Sequence, residues 1–148
     1  MMGRIGLMVA AGLALTACAS SSLYGPARGP GDSGYIDQRV DPARYVVTFQ
    51  GNASMDPSLV YEYALLRAAE VTLDSDYGWF YIVSRDQAGA PPRGNPRRHS
   101  RYGDYDRYYD SGRYAISLEI VMGYGRRPPK DPNAFDARDL ERDLRHLK

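Results

Sequence analysis

Tyr114-Ala115-Ile116-Ser117-Leu118-Glu119-Ile120-Val121-Met122 decides the fold. Tyr114, Ile116, Leu118, Ile120 and Met122 recur at every second position, so a β-strand puts them on one face. Ser117 and Glu119 fall on the other. This alternation is the cleanest in the chain and predicts a sheet that packs on one side and is wet on the other over part of its length. Working toward the N-terminus, Asp86 to Arg113 (DQAGAPPRGNPRRHSRYGDYDRYYDSGR) is low in complexity. It reads as a mobile loop, 86–113, between two strands of a hairpin, and loops of that length are functional or disordered. The other strand of the hairpin is Trp79 to Val83, aromatic and β-branched.

A helix precedes it. Asp56 suits the N-cap and Pro57 the first helical position, where its missing N–H costs nothing. The helix runs to about Asp74, with Gly78 just beyond. Val60, Ala64, Ala68 and Val71 form one stripe, and its alanines permit close approach to a sheet. Leu65, Leu66, Ala69 and Leu73 carry apolar character nearly all round. Arg67 stands beside the stripe, within reach of Tyr63 at i−4 and Glu70 at i+3. The plain reading of this trio is an intrahelical ion pair with a snorkelling arginine stem; the sharper one is a ligand or ion-pair site made by Arg67, Glu70 and Tyr63. Before the helix, Tyr45 to Phe49 alternates as another strand and ends at the Gly51-Asn52 turn. After the hairpin, residues 123–132 (GYGRRPPKDP) form a connector. Ala137, Leu140, Leu144 and Leu147 then recur at helical spacing in a short C-terminal helix. The expected fold is α+β: a small single domain in the order β-α-β-β-α, with a three-stranded sheet packed by one long helix and a short C-terminal helix. If the first two strands pair directly they are parallel, with a right-handed crossover.

The N-terminus carries a different kind of information. Arg4 is followed by an uncharged run, Ile5 to Ala17, too short for a membrane span of about 20 residues. A short positive region, an apolar core and small terminal residues describe a secretory signal. Leu15-Thr16-Ala17-Cys18 reads as a lipobox, with Cys18 the acylated first residue of the mature protein. Ala17-Cys18-Ala19 also fits ordinary signal cleavage, which discards the cysteine. The lipobox is favoured because Cys18 is the only cysteine, and a lone thiol in an oxidising compartment needs an explanation. Acylation by two or more chains gives stable attachment, where one chain is marginal. Residues 1–17 are thus a lipoprotein signal peptide, and 18–33 the lipidated cysteine and a flexible tether (ASSSLYGPARGPGDS after Cys18). Residues 34–148 are the domain. Fifteen such tether residues span roughly 20 Å as a coil and about 50 Å at full stretch.

Composition narrows the partners. With Arg4 in the signal, the mature chain has 18 basic and 18 acidic residues. A near-zero net charge argues against nucleic acid as the partner. With two histidines, His99 and His146, and no spare thiol, no metal site, cofactor or Cys/His or Ser/His catalytic set is expected. Asp74-Ser75-Asp76-Tyr77-Gly78 fails as an EF-hand, with glycine one place early and Arg85 at the twelfth position. Glu62, Glu70 and Glu119 are the remaining carboxylates for a glycan hydrolase, and surface carboxylates are the default reading. Arg93, Arg97, Arg98 and Arg101, followed by Tyr102, Tyr105, Tyr108 and Tyr109, give loop 86–113 chemistry suited to nucleic acid, acidic lipid headgroups or acidic glycans. The favoured reading is a solvated insertion whose charges nearly balance, and an envelope protein or glycan is the partner expected of it otherwise.

The strings Tyr45–Asn52 (YVVTFQGN), Tyr63–Leu73 (YALLRAAEVTL), Tyr77–Phe80 (YGWF) and Phe135–Arg138 (FDAR) resemble a family of small, uncharacterised proteobacterial envelope lipoproteins. The resemblance covers roughly 34–85 and 114–147. It implies a lipobox and a compact core, and no activity or catalytic residue. Ala19 after the cysteine, by the same likeness to envelope lipoproteins, implies the outer membrane, facing the periplasm. The sequence therefore reads as a non-enzymatic, lipid-anchored interaction module, with a periplasmic small-ligand or glycan-binding module as the alternative.

Overall fold

A computed structural model describes residues 23–29, 31–89 and 114–148. The chain forms β1 (Gly34–Asp41), β2 (Arg44–Gln50), α1 (Pro57–Asp74), β3 (Trp79–Ala88), β4 (Ala115–Gly123), β5 (Ala134–Asp136), α2 (Ala137–Leu144) and a closing 3-10 turn, Arg145–Leu147. The strands make one sheet in the order β1-β2-β4-β3-β5, with every neighbouring pair antiparallel.

The expectation of a three-stranded β-α-β-β-α domain is thereby corrected: the described residues form five strands in the order β-β-α-β-β-β-α. β4 sits between β2 and β3, so the two strands flanking α1 do not pair and no parallel crossover arises. Two strands escaped the pattern for physical reasons. In β1 the positions that share the helix-side face are Tyr35, Asp37 and Arg39, opposite Phe49, Val47 and Tyr45. Two charges on a core-facing register hide the alternation. β5 has three residues, and its last, Asp136, also caps α2 by accepting from the Arg138 and Asp139 amides. β3 runs past Val83 because a bulge between Ile82 and Ser84 resets its alternation.

α1 begins where Asp56 and Pro57 place it: the Asp56 carboxylate accepts the Ser58 amide at 2.8 Å. It ends at Asp74; just beyond, Asp76 takes the left-handed region at φ 63°, and the Tyr77 amide reaches back to the Thr72 carbonyl. Fully buried Val60, Ala64 and Ala68 face the sheet residues Val47, Phe49, Leu118, Ile120 and Phe80. α2 packs against α1, so both helices lie on one side. No described helix is long and apolar enough to cross a membrane.

The opposite face departs from the wet surface expected of Ser117 and Glu119. Thr48 is 1% exposed and Ser117 8%, and their hydroxyls bond each other at 2.8 Å. Glu119 takes Arg44 at 3.0 Å and Ser84 at 3.3 Å. Alternation reports polarity, and small polar side chains that satisfy one another are compatible with burial.

Candidate functional site

The polar side chains that the fold gathers most closely lie where α1, β1 and the segment before β1 meet. Arg67 projects from α1 toward the edge strand, where Asp37 occupies the facing register. Its Nε donates to Asp37 Oδ1 and Oδ2 at 3.2 and 2.9 Å, and its NH2 to Oδ2 at 2.6 Å. Its NH1 donates to Glu70 Oε2 at 3.0 Å. The guanidinium carbon lies over the Tyr35 ring, 4.2 Å from its centroid, a cation–π contact.

Glu70 is the hub. Its Oε2 also accepts the Tyr24 hydroxyl, and its Oε1 meets Lys148 Nζ at 2.7 Å. Lys148 reaches Glu141 as well, at 3.1 Å, and Arg145 pairs with Glu141 at 2.7 Å. The network thus joins the segment before β1, β1 itself, α1 and the C-terminus. Burial opposes the charge on Glu70, but Lys148, Tyr24 and Arg67 outweigh it and hold its carboxyl below the ordinary value. Burial and the neighbouring Glu70 carboxylate push the Tyr24 phenol far up. Burial works against the Arg67 charge too, and Asp37 with Glu70 more than restores it.

Beside the charges runs an aromatic stack. Tyr63 packs on Phe49 with centroids 4.8 Å apart and on Tyr24 at 5.4 Å, and Tyr24 meets Tyr35 at 5.3 Å. Tyr24 belongs to the stretch read as flexible tether, 18–33, yet Tyr24 to Ala27 lie against the domain. Its backbone adds to the β1 edge in parallel: the Tyr35 amide donates to the Gly25 carbonyl at 2.9 Å and the Ala27 amide to the Tyr35 carbonyl at 3.0 Å. Gly34, at φ 141°, makes this approach feasible, because a Cβ there would stand 2.6 Å from the Gly25 oxygen and 2.7 Å from the Ala27 nitrogen.

The structure therefore brings together Arg67, Glu70 and Tyr63, and joins to them Tyr24, Asp37, Tyr35 and Lys148. Tyr24 is the only aromatic in ASSSLYGPARGPGDS, and that was the one available signal. Nothing local marks Lys148. Leu15, Thr16, Ala17 and Cys18 lie outside the described residues, as do residues 90–113 of the loop read at 86–113. Asp86, Gln87 and Ala88 belong to β3.

Chemically the network is suited to holding. A general acid needs a raised carboxyl pKa, and Glu70 is shifted the other way with both oxygens engaged. Glu119 sits on the sheet face away from α1, so it and Glu70 do not converge on one bond. Glu62 lies about 12 Å along the helix from Glu70, beyond the roughly 5–9.5 Å that glycoside hydrolysis uses. Among the described residues, no three His, Cys, Asp or Glu side chains form a metal-holding group. No family model, curated protein or solved structure matches the chain.

Proposed function

We propose that this protein is a non-enzymatic lipoprotein of the bacterial envelope, anchored through Cys18 to the outer membrane on its periplasmic side. There it acts as a structural or interaction module. The observation that carries the reading is the clamp on the segment just after the lipobox. Tyr24, six residues beyond Cys18, is half-buried, stacked against the core and bonded to Glu70, which Arg67 and Lys148 hold ionised. A docked arm fixes where the domain sits relative to an anchor at Cys18, and the most elaborate polar network among the described residues sits at that arm. The resemblance to small proteobacterial lipoproteins belongs to this proposal. So does an envelope protein or glycan partner engaged through residues 90–113.

Cell fractionation of wild type against Cys18→Ala tests it. Wild type is expected with the membranes and the variant in the soluble periplasmic fraction. A variant that stays with the membranes contradicts anchoring through Cys18.

A second reading, a periplasmic glycan-binding module, draws on a different place. Tyr124 is 71% exposed and stacks on Tyr77 at 4.3 Å, beside Trp79, whose indole donates to the Tyr124 carbonyl at 3.0 Å. An exposed aromatic platform of this kind suits the apolar face of a sugar ring. Titration with soluble peptidoglycan fragments should perturb the Tyr124 ring resonances if this reading holds, and leave them unmoved if it does not.

A further inference from the structure

From the docked arm we infer that the protein is held on a short leash that turns one end of its sheet to the lipid surface; this rests on anchoring through Cys18. Reach sets the orientation. With a free tether to Gly34, sixteen peptide steps from Cys18 allow about 55 Å, and the domain can present any face to the membrane. With Tyr24 fixed in the core, six steps remain, or about 20 Å at full stretch. That is less than the length of the domain along its strands, since β4 with nine residues spans about 27 Å.

The leash also has a defined exit. The arm runs parallel to β1, with Gly25 beside Tyr35, so its upstream side leaves from the end of the sheet where β1 starts. The strand registers place Gly34, Gln50, Ala115 and Ala88 together at that end. Gly123, Trp79 and the turn between β1 and β2 lie at the other. The Gly34 end is therefore the one that faces headgroups. Leu23, 51% exposed, and exposed Arg28 stand on the arm itself, an apolar side chain and a cation near the anchor. This pairing suits a membrane interface. The far end, with Tyr124 and Arg126, is turned away from the membrane, while Ala88 and Ala115, on either side of residues 90–113, lie at the headgroup end.

Four features hold the geometry: the two backbone hydrogen bonds between the arm and Tyr35, the Tyr24–Glu70 hydrogen bond, the aromatic stack, and the absence of a side chain at residue 34. The last supplies a perturbation at the arm. Gly34→Ala puts a methyl group into the arm's backbone and also strains residue 34 itself, whose φ of 141° a side chain rarely adopts. The arm must move off and the first β1–β2 pair, Gly34 with Gln50, shifts with it, while the pairs from Tyr35 onward remain.

The test uses the full-length protein, processed in cells and returned to vesicles of phosphatidylethanolamine and phosphatidylglycerol that carry a headgroup-nitroxide lipid. Since Cys18 is acylated, an introduced cysteine is the only free thiol for a fluorophore. Ala53→Cys labels the loop at the Gly34 end, and Arg126→Cys labels the far end. The fluorophore at residue 53 should be quenched several-fold more than the one at residue 126, and the difference should collapse when Gly34→Ala is added. Equal quenching at the two sites in an acylated protein overturns the inference and leaves the anchor standing. The mass of the N-terminal peptide is read from the same samples. A peptide without acyl chains overturns the anchoring proposal and this inference with it.

Discussion

Replacing Tyr24 by phenylalanine removes one oxygen and asks whether the clamp holds the arm. The ring stays, so its stacking on Tyr63 and Tyr35 is retained; the hydrogen bond to Glu70 is lost. A hydrogen bond to a charged group contributes about 1.5–3 kcal/mol. The low end applies, because Glu70 keeps Arg67 and Lys148 and is not left unpaired. About 1.5 kcal/mol raises the local opening constant roughly tenfold. Amide hydrogen exchange reads that constant directly. The Ala27 and Tyr35 amides bridge arm and strand, so both should exchange roughly tenfold faster in Tyr24→Phe. The Gly51 amide, bonded to the Tyr114 carbonyl within the domain, serves as the control and should not change. Unchanged exchange at Ala27 and Tyr35 would refute the claim that the phenol holds the arm. Acceleration at Gly51 to the same degree would show that the substitution loosens the whole fold, which refutes the local latch equally well.

Leu118→Ala, in the centre of β4 and fully buried, should cost about 2–5 kcal/mol by opening a cavity under α1. Urea denaturation should show the loss without a change in slope. Acid should loosen the clamp: Glu70 ionises below its ordinary value near 4.5 in the folded chain, so its contribution is present above that pH and is lost as pH falls through the folded value. The fall in melting temperature below about pH 4.5 should be shallower in Glu70→Gln than in wild type, and identical slopes would count against the hub role. Gly123→Ala would place a Cβ 2.1 Å from the Trp79 ring. The indole must move and surrender its bond to the Tyr124 carbonyl, so the emission of the only tryptophan should shift, with a cost of about 1–3 kcal/mol. An unmoved spectrum would show that the ring is not seated on residue 123.

What the sequence disclosed follows from where its physics is local. Asp56 and Pro57 mark the start of α1 because capping needs only neighbouring residues. The β4 alternation stands out because five apolar side chains share one face without interruption. β1 was hidden because its helix-side positions include Asp37 and Arg39; Asp37 is there to meet Arg67, thirty residues away. Val83 broke the period of β3 at a bulge, and β5 is too short to show one. At the site, the pairing of Arg67 with Glu70 was legible at i+3 spacing. The contributions of Tyr24 and Lys148 were not, since they come from the two ends of the described chain and reach Glu70 only through the tertiary fold. A Gly- and Pro-rich stretch reads as tether from composition, while the docking of this one depends on a single aromatic ring and the bare backbone at Gly34.

The proposed anchor is Cys18, and the intact mass of the mature protein purified from membranes tests it most directly. A chain that begins at Cys18 and carries diacylglyceryl and acyl mass is the predicted result. A chain that begins beyond Cys18, or keeps it as a free thiol, would contradict the anchor and the function proposed from it.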